Sequence, residues 1–234
     1  MEDVLERRTL AAEDDHWWYR GRRGIVVDSV TRLSNGARPR ILDAGCGGGA
    51  TLAALAPLGD VIGLEPSRAS RQRALERPVE VVDGTLEQLP FGEAEFDLAL
   101  VLDVLEHLAD DITGLGELRR VVRPGGALIV TVPAHPRLWS RHDELNHHRR
   151  RYTRSTLADA AARSGWRVRR ITHFNSLLLP IAVAARQLDQ GDGLAIPPRG
   201  VNRALEAALQ LERLLIRLGV RLPAGLSLLA ELRR

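Results

Sequence analysis

The 234-residue chain contains no lysine; all 33 of its basic side chains are arginine. That absence removes Schiff-base chemistry on a lysine amine, the lysine of a phosphate-binding P-loop and the tyrosine–lysine pair of a short-chain dehydrogenase. A single cysteine, Cys46, excludes a disulfide framework and a multi-cysteine zinc site. Long apolar runs are missing too. The longest, residues 176–185, falls far short of the roughly 20 residues that span a bilayer. The acidic, polar N-terminus is unlike a signal peptide, and a cytoplasmic location is expected.

What remains is an ordinary globular composition, 44% hydrophobic and 27% charged, of a length suited to one domain with an appendage. The net charge of +3 is unevenly placed. Residues 135–154 hold six arginines against Asp143 and Glu144, together with four of the seven histidines. A charge run is often only a solvated face, but histidines rarely crowd a purely solubilising surface.

Strand-like and helix-like segments alternate through the middle of the chain, the pattern of a parallel sheet with helices on both faces. Apolar runs predict strands at 40–44, 61–65, 79–83, 96–102, 127–132, 166–174 and 226–232. Helices are expected at 49–58, 67–77, 111–122 and 156–164, with the Arg-Pro-Gly-Gly of 123–126 as a stop before the next strand. The expected fold is α/β, a Rossmann-like, doubly wound, seven-stranded, mostly parallel sheet. Residues 1–37 form an N-terminal helical cap, 38–176 plus 225–234 the core, and 177–224 a helical insertion before the last strand, all within one structural domain. Within the insertion, 201–218 has apolar residues at helical spacing and reads as an amphipathic helix, either a packing element or a peripheral membrane contact. Residues 191–200 read as a loop.

The informative stretch is Ile41-Leu42-Asp43-Ala44-Gly45-Cys46-Gly47-Gly48-Gly49-Ala50, a strand entering a glycine turn that opens a helix. Gly45, Gly47 and Ala50, with Glu65 some 20 residues on, also satisfy a dinucleotide fingerprint. Two features argue against NAD. Asp43 suits a ligand carrying an ammonium group better than a pyrophosphate, and dehydrogenase lysine chemistry is absent.

In order along the chain stand Asp43-x-Gly45-x-Gly47-x-Gly49, Glu65, Leu89-Pro90-Phe91, Phe96-Asp97, Asp103-x-Leu105-Glu106-His107-Leu108 and Leu118-x-x-Val121-x-Arg123-Pro124-Gly125-Gly126. Over residues 40–175 these resemble the class I S-adenosylmethionine-dependent methyltransferases of small-molecule type. The segments His16-Trp17-Trp18-Tyr19-Arg20-Gly21-Arg22-Arg23 and His142-Asp143…His148-Arg149-Arg150-Arg151-Tyr152-Thr153 resemble one bacterial subgroup of them.

The resemblance implies S-adenosylmethionine as cofactor, S-adenosylhomocysteine as product, and a set of contacts. Gly45 and Gly47 would pass under the methionine and ribose, Asp43 would face the amino group, and Glu65 would hold the ribose diol. Cys46, Pro66 and Asp103 would lie beside them, and His107 either there or in a local helix-start role. The family's adenine-reading Asp aligns with Thr85, so Thr85 with the Leu86 amide, or a displaced Asp83, would take that task. Tyr19 and Arg22 are candidates for closing over the cofactor, by an aromatic face on the sulfonium and a guanidinium on the carboxylate. The neighbouring tryptophans read equally as packing for an N-terminal helix.

On the acceptor side, methyl transfer needs alignment and exclusion of water more than covalent chemistry. A hydroxyl or ammonium acceptor must also lose a proton, and His142 or His148 is the candidate base. His135, Arg150, Arg151 and Tyr152 are candidate substrate contacts, which predicts an anionic or densely polar acceptor. No metal is expected, since His147 and His148 are adjacent and point different ways on regular structure. The function expected is therefore O- or N-methylation of a small molecule: a natural product, a sugar or a lipid-linked intermediate. Alternatives are a non-methylating enzyme that uses the sulfonium charge, and a nucleic-acid methyltransferase or binder suggested by the basic segment. Against nucleic acid, the fourth strand ends Asp103-Val104-Leu105-Glu106, without the Asn/Asp-Pro-Pro-Tyr of base-amino methyltransferases. Oligomeric state is not legible.

Overall fold

The structure, a computed structural model, describes residues 2–181, 183 and 195–234. The first part of the loop expected at 191–200, and much of the insertion before it, thus lie outside the described residues.

Two N-terminal helices, α1 (Glu2–Ala12) and α2 (Trp17–Ser34), precede the sheet. His16 caps α2 by accepting the Trp18 amide at 3.2 Å. Then follow β1 (Arg40–Ala44), α3 (Ala50–Leu55), β2 (Asp60–Leu64), α4 (Arg68–Ala74), β3 (Glu80–Val82), β4 (Phe96–Leu102), α5 (Asp111–Val121) and β5 (Val122–Pro133). After β5 come a short 3-10 turn at Pro136–Leu138, α6 (Arg141–Leu145), α7 (Arg154–Arg163), β6 (Arg167–Phe174), α8 (Arg199–Arg217) and β7 (Ser227–Arg233).

The seven strands form one sheet in the order β3-β2-β1-β4-β5-β7-β6, parallel except for β7, which runs antiparallel between β5 and β6. Strands buried on both faces read as continuous apolar runs. In β4, Ala99 and Val101 pack into the cluster that also holds Leu115, Leu118 and Leu157, while Leu98, Leu100 and Leu102 pack with Ile25, Val30 and Ile216 on the other face. Trp166 closes the first cluster and donates its indole N–H to the Leu115 carbonyl at 2.9 Å.

The expected stop at 123–126 is part of β5. The strand begins at Val122, which pairs with Phe96 across a register shift, and the turn is held by Gly125 N donating to Arg234 O and Arg234 N to Gly126 O. The end of β7 thus pulls a nominal helix terminator into the sheet.

The amphipathic helix is α8. Its inner face lies on α2, where Gly21 leaves room for Leu209: a Cβ at Gly21 would come within 2.3 Å of the Leu209 side chain. Arg213 pairs with both oxygens of Asp28, and Glu212 accepts the Ser176 and Leu177 amides at 2.8 Å. Leu211, Leu214 and Leu218 remain exposed on its outer side. Among the described residues no helix is long and apolar enough to cross a membrane.

Candidate active site

Open α/β sheets bind ligands outside the carboxyl ends of the strands where the strand order reverses. Here that point lies between β1 and β4, and a cavity of about 1050 Å³ stands over it. Its floor is the glycine turn after β1. Gly45 has φ +86°, and a Cβ there would come within 2.4 Å of Val104, so both backbone conformation and space demand glycine. The helices α1 and α2 roof the cavity, and the segment around α6, together with residues 175–181 and α8, closes the far side.

Asp43, at the end of β1, is buried, and its Oδ1 has no hydrogen-bond partner among the described residues. Burial, with Glu13 and Glu65 adding like charge against the nearby Arg22, pushes its carboxyl up to about 7. Asp103 occupies a left-handed conformation at φ +57° as the chain leaves β4. It pairs with Arg22 and accepts the Thr131 hydroxyl at 2.9 Å. The Arg22 guanidinium lies over Trp18 and Tyr19, at 4.6 and 5.6 Å from the ring centroids, and its Nε has no partner among the described residues. Trp18 therefore packs the guanidinium as well as the helix.

Glu65 does not line the cavity. Its carboxylate accepts Gly47 N and Ser67 N, each at 2.9 Å, and so ties the glycine turn to the start of α4. The adenine-side candidates are also outside it. Asp83 is exposed and paired with both guanidinium nitrogens of Arg71, Thr85 is exposed in a bridge with Gln88, and Leu86 is packed in the core. Of the other expected cofactor contacts, Tyr19, Arg22, Gly45, Cys46, Gly47, Pro66, Asp103 and His107 do face the cavity.

The far wall departs most from expectation. The arginine clamp is spent inside the protein. Arg149 donates to the His107 carbonyl, and Arg150 to Asp111 and the carbonyls of Leu108 and Ala109. Arg151 is buried against Asp143, Nε to Oδ1 2.6 Å, and Tyr152 donates to Asp111 at 2.7 Å from within the core. His135 stacks on His173 at 5.3 Å, away from the cavity. Arg149 and Arg150 meet groups about 40 residues away after β4, whereas Arg151 pairs with Asp143 eight residues before it. Arg151 still borders the cavity, as do His142, His148, Leu178, Ile181 and Leu205.

Sequence reasoning missed two carboxylates. Glu13 reaches over the glycine turn from the end of α1, where nothing in the local sequence marks it. Glu106, 1% exposed, borders the cavity with neither oxygen partnered among the described residues. A carboxylate between Leu105 and His107 in an apolar stretch was the available signal. Burial and the neighbouring Asp103 raise the Glu106 carboxyl well above its ordinary range. Burial and the nearby His148 lower His107 to about 4, so its imidazole is neutral at pH 7.

Comparison with known proteins bears on the domain and the fold. Residues 42–130 match the family model described as a methyltransferase domain. That segment is similar to methyltransferase domains. A probable S-adenosylmethionine-dependent methyltransferase from Mycolicibacterium smegmatis is 32% identical over 131 residues, covering 55% of this chain and 50% of that protein. The ubiquinone biosynthesis O-methyltransferase of Rhizobium rhizogenes is 37% identical over 119 residues, covering 46% and 48%. The chain thus spans about half the length of these curated relatives. Among solved structures, the complex of the Haloferax volcanii Trm112 methyltransferase activator with a putative methyltransferase matches with a TM-score of 0.66 at 20% identity, over 99% of this chain and 94% of that one. The sheet and its flanking helices are accordingly the Rossmann-like methyltransferase fold.

Proposed function

We propose that the chain is an S-adenosylmethionine-dependent O- or N-methyltransferase acting on a small molecule. The observation that carries this reading is Asp43, a buried carboxylate with an unpartnered oxygen over a glycine cradle, inside a methyltransferase domain. An ammonium group is the partner such an oxygen lacks. The cavity, at the upper end of the range for ligand sites, has room for the cofactor and an acceptor together.

In this reading Asp43 holds the amino group, Arg22 Nε the carboxylate, and the Gly45–Gly47 backbone the methionine and ribose portion. Glu65 keeps lone pairs for the ribose hydroxyls beyond the two amides it already accepts. When bound, the cofactor supplies an electrophilic methyl on a sulfonium. The protein excludes water, aligns the acceptor, and takes its proton on His142. Arg150 and Arg151 are paired with Asp111 and Asp143, and the lining also carries Leu178, Ile181 and Leu205, which favours an acceptor with an apolar part.

Titration calorimetry with S-adenosylmethionine and NAD tests the cofactor assignment. Binding of S-adenosylmethionine alone is expected, weakened by Glu65→Ala. Binding of NAD alone overturns the reading, and unchanged affinity in Glu65→Ala overturns the placement of the ribose.

A further inference from the structure

We propose that Glu106, His107 and His148 form a binding site for a divalent first-row transition ion, such as Zn²⁺, Mn²⁺ or Co²⁺, in the cavity wall. A carboxylate oxygen and one nitrogen from each imidazole lie within 4.8 Å of one another. Glu106 and His107 come from the turn after β4, and His148 from the loop after α6, so tertiary folding alone assembles the group. All three border the same cavity.

Three features separate this cluster from a chance meeting of polar groups. First, a buried carboxylate is normally paired, and both oxygens of Glu106 are unpartnered among the described residues. Second, His148 is oriented as a metal-bound imidazole is. Its Nδ1 lies 2.9 Å from Asp143 Oδ1, and Asp143 is itself held by Arg151 Nε at 2.6 Å and Ser140 N at 2.9 Å. A histidine that donates one ring N–H to a fixed carboxylate presents the other nitrogen, with its lone pair, as a ligand. Third, the His107 and His148 rings meet with centroids 4.9 Å apart, so the two imidazoles stand side by side next to the Glu106 carboxylate.

Two imidazoles and one carboxylate suit transition ions, whereas calcium and magnesium prefer oxygen alone. In a filled site each donor lies about 2.0–2.2 Å from zinc, so the three groups draw together on binding. The cavity beside them gives the side chains room to do so. Remaining coordination positions open into the cavity, where an oxygen of an acceptor would complete the shell. The expectation of no metal considered only the histidines of one segment; His107 and Glu106 come from another. The inference stands apart from the cofactor reading, because the ion is measured with no S-adenosylmethionine present.

The test is a Co²⁺ titration of chelator-treated full chain, followed by visible absorption, with Zn²⁺ and Mn²⁺ binding measured by calorimetry. One equivalent per chain is expected. Glu106→Gln and His148→Gln should each weaken binding at least tenfold, and Asp143→Asn by about 10–100-fold. The exposed Glu144→Gln on the same segment should leave it unchanged. Glu106→Gln keeps side-chain volume and removes an unpaired buried charge, so this variant decides the matter if the others fail to fold. Absence of saturable one-to-one binding by all three ions, or full affinity in Glu106→Gln, overturns the proposal.

Discussion

Replacing Asp143 by Asn should unfasten the far wall of the cavity, and its cost can be worked from the contacts. The Asp143 side chain is fully buried and accepts Arg151 Nε at 2.6 Å, His148 Nδ1 at 2.9 Å and Ser140 N at 2.9 Å. Burial alone would raise this carboxyl, but hydrogen bonds from His148 and Arg151 hold it well below the usual carboxylate range. The Arg151 side chain is 1% exposed, and its one other acceptor is the Ala134 carbonyl at 3.0 Å. Asn keeps the shape and loses the charge, leaving a buried guanidinium without its counter-ion. Breaking a buried pair in this way costs about 3–5 kcal/mol. For a domain of this size each kcal/mol moves the midpoint by about 2–4 °C, so thermal unfolding followed by circular dichroism at pH 7 should show Tm lower by about 6–20 °C. A depressed carboxylate contributes above its unfolded pKa, near 3.9, and loses that contribution as pH falls below it. The gap between wild type and variant should therefore be complete at neutral pH and narrow in acid. Adding Arg151→Met should restore part of the loss, since it removes the stranded charge. A Tm within about 2 °C of wild type at pH 7 would refute the reasoning.

Three further outcomes follow from groups at and beneath the floor of the cavity. Asp43, raised to about 7, must be ionised to hold an ammonium, so S-adenosylmethionine affinity by calorimetry should climb from pH 6 to pH 8 and then level; Asp43→Asn should bind weakly and lose the pH dependence. The same raised carboxyl favours the ligand-free fold fully below the unfolded pKa, and that contribution is lost as pH rises through about 7, so ligand-free Tm should decline toward pH 8 less steeply in Asp43→Asn than in wild type. Gly63→Ala places a Cβ 2.6 Å from both Cys46 Sγ and the Leu52 side chain, and should cost about 1–3 kcal/mol in urea unfolding while loosening the glycine turn; an unchanged midpoint would contradict that packing.

Much of the architecture was legible before any coordinate. Apolar runs of strand length, most of them followed by a helical segment, set out all seven strands and the glycine turn after β1, because strand and helix periodicities are local properties of the chain. Boundaries moved where a distant element intervened, as when Arg234 drew residues 123–126 into β5. Asp43 was legible as a carboxylate at the glycine turn from its place before it, and the structure buries it there with one oxygen unpartnered among the described residues. The arginines of 149–151 were misleading, because composition records their charge but not the Asp143, Asp111 and carbonyl groups that satisfy it.

The sequence by itself determined the alternating α/β fold, the glycine cradle, and the exclusion of every chemistry that needs a lysine or several cysteines. These follow from local patterns and from residue types that are simply absent. Only the tertiary structure decided which charges reach the cavity. It turned Arg150, Arg151 and Tyr152 inward, held Glu65 against the turn, and left Glu106 unpaired beside His107 and His148. Whether a buried charge is spent or available depends on which partners the packing of the sheet, its helices and their loops sets against it, from eight residues away for Arg151 and Asp143 to about 40 for Arg150 and Asp111.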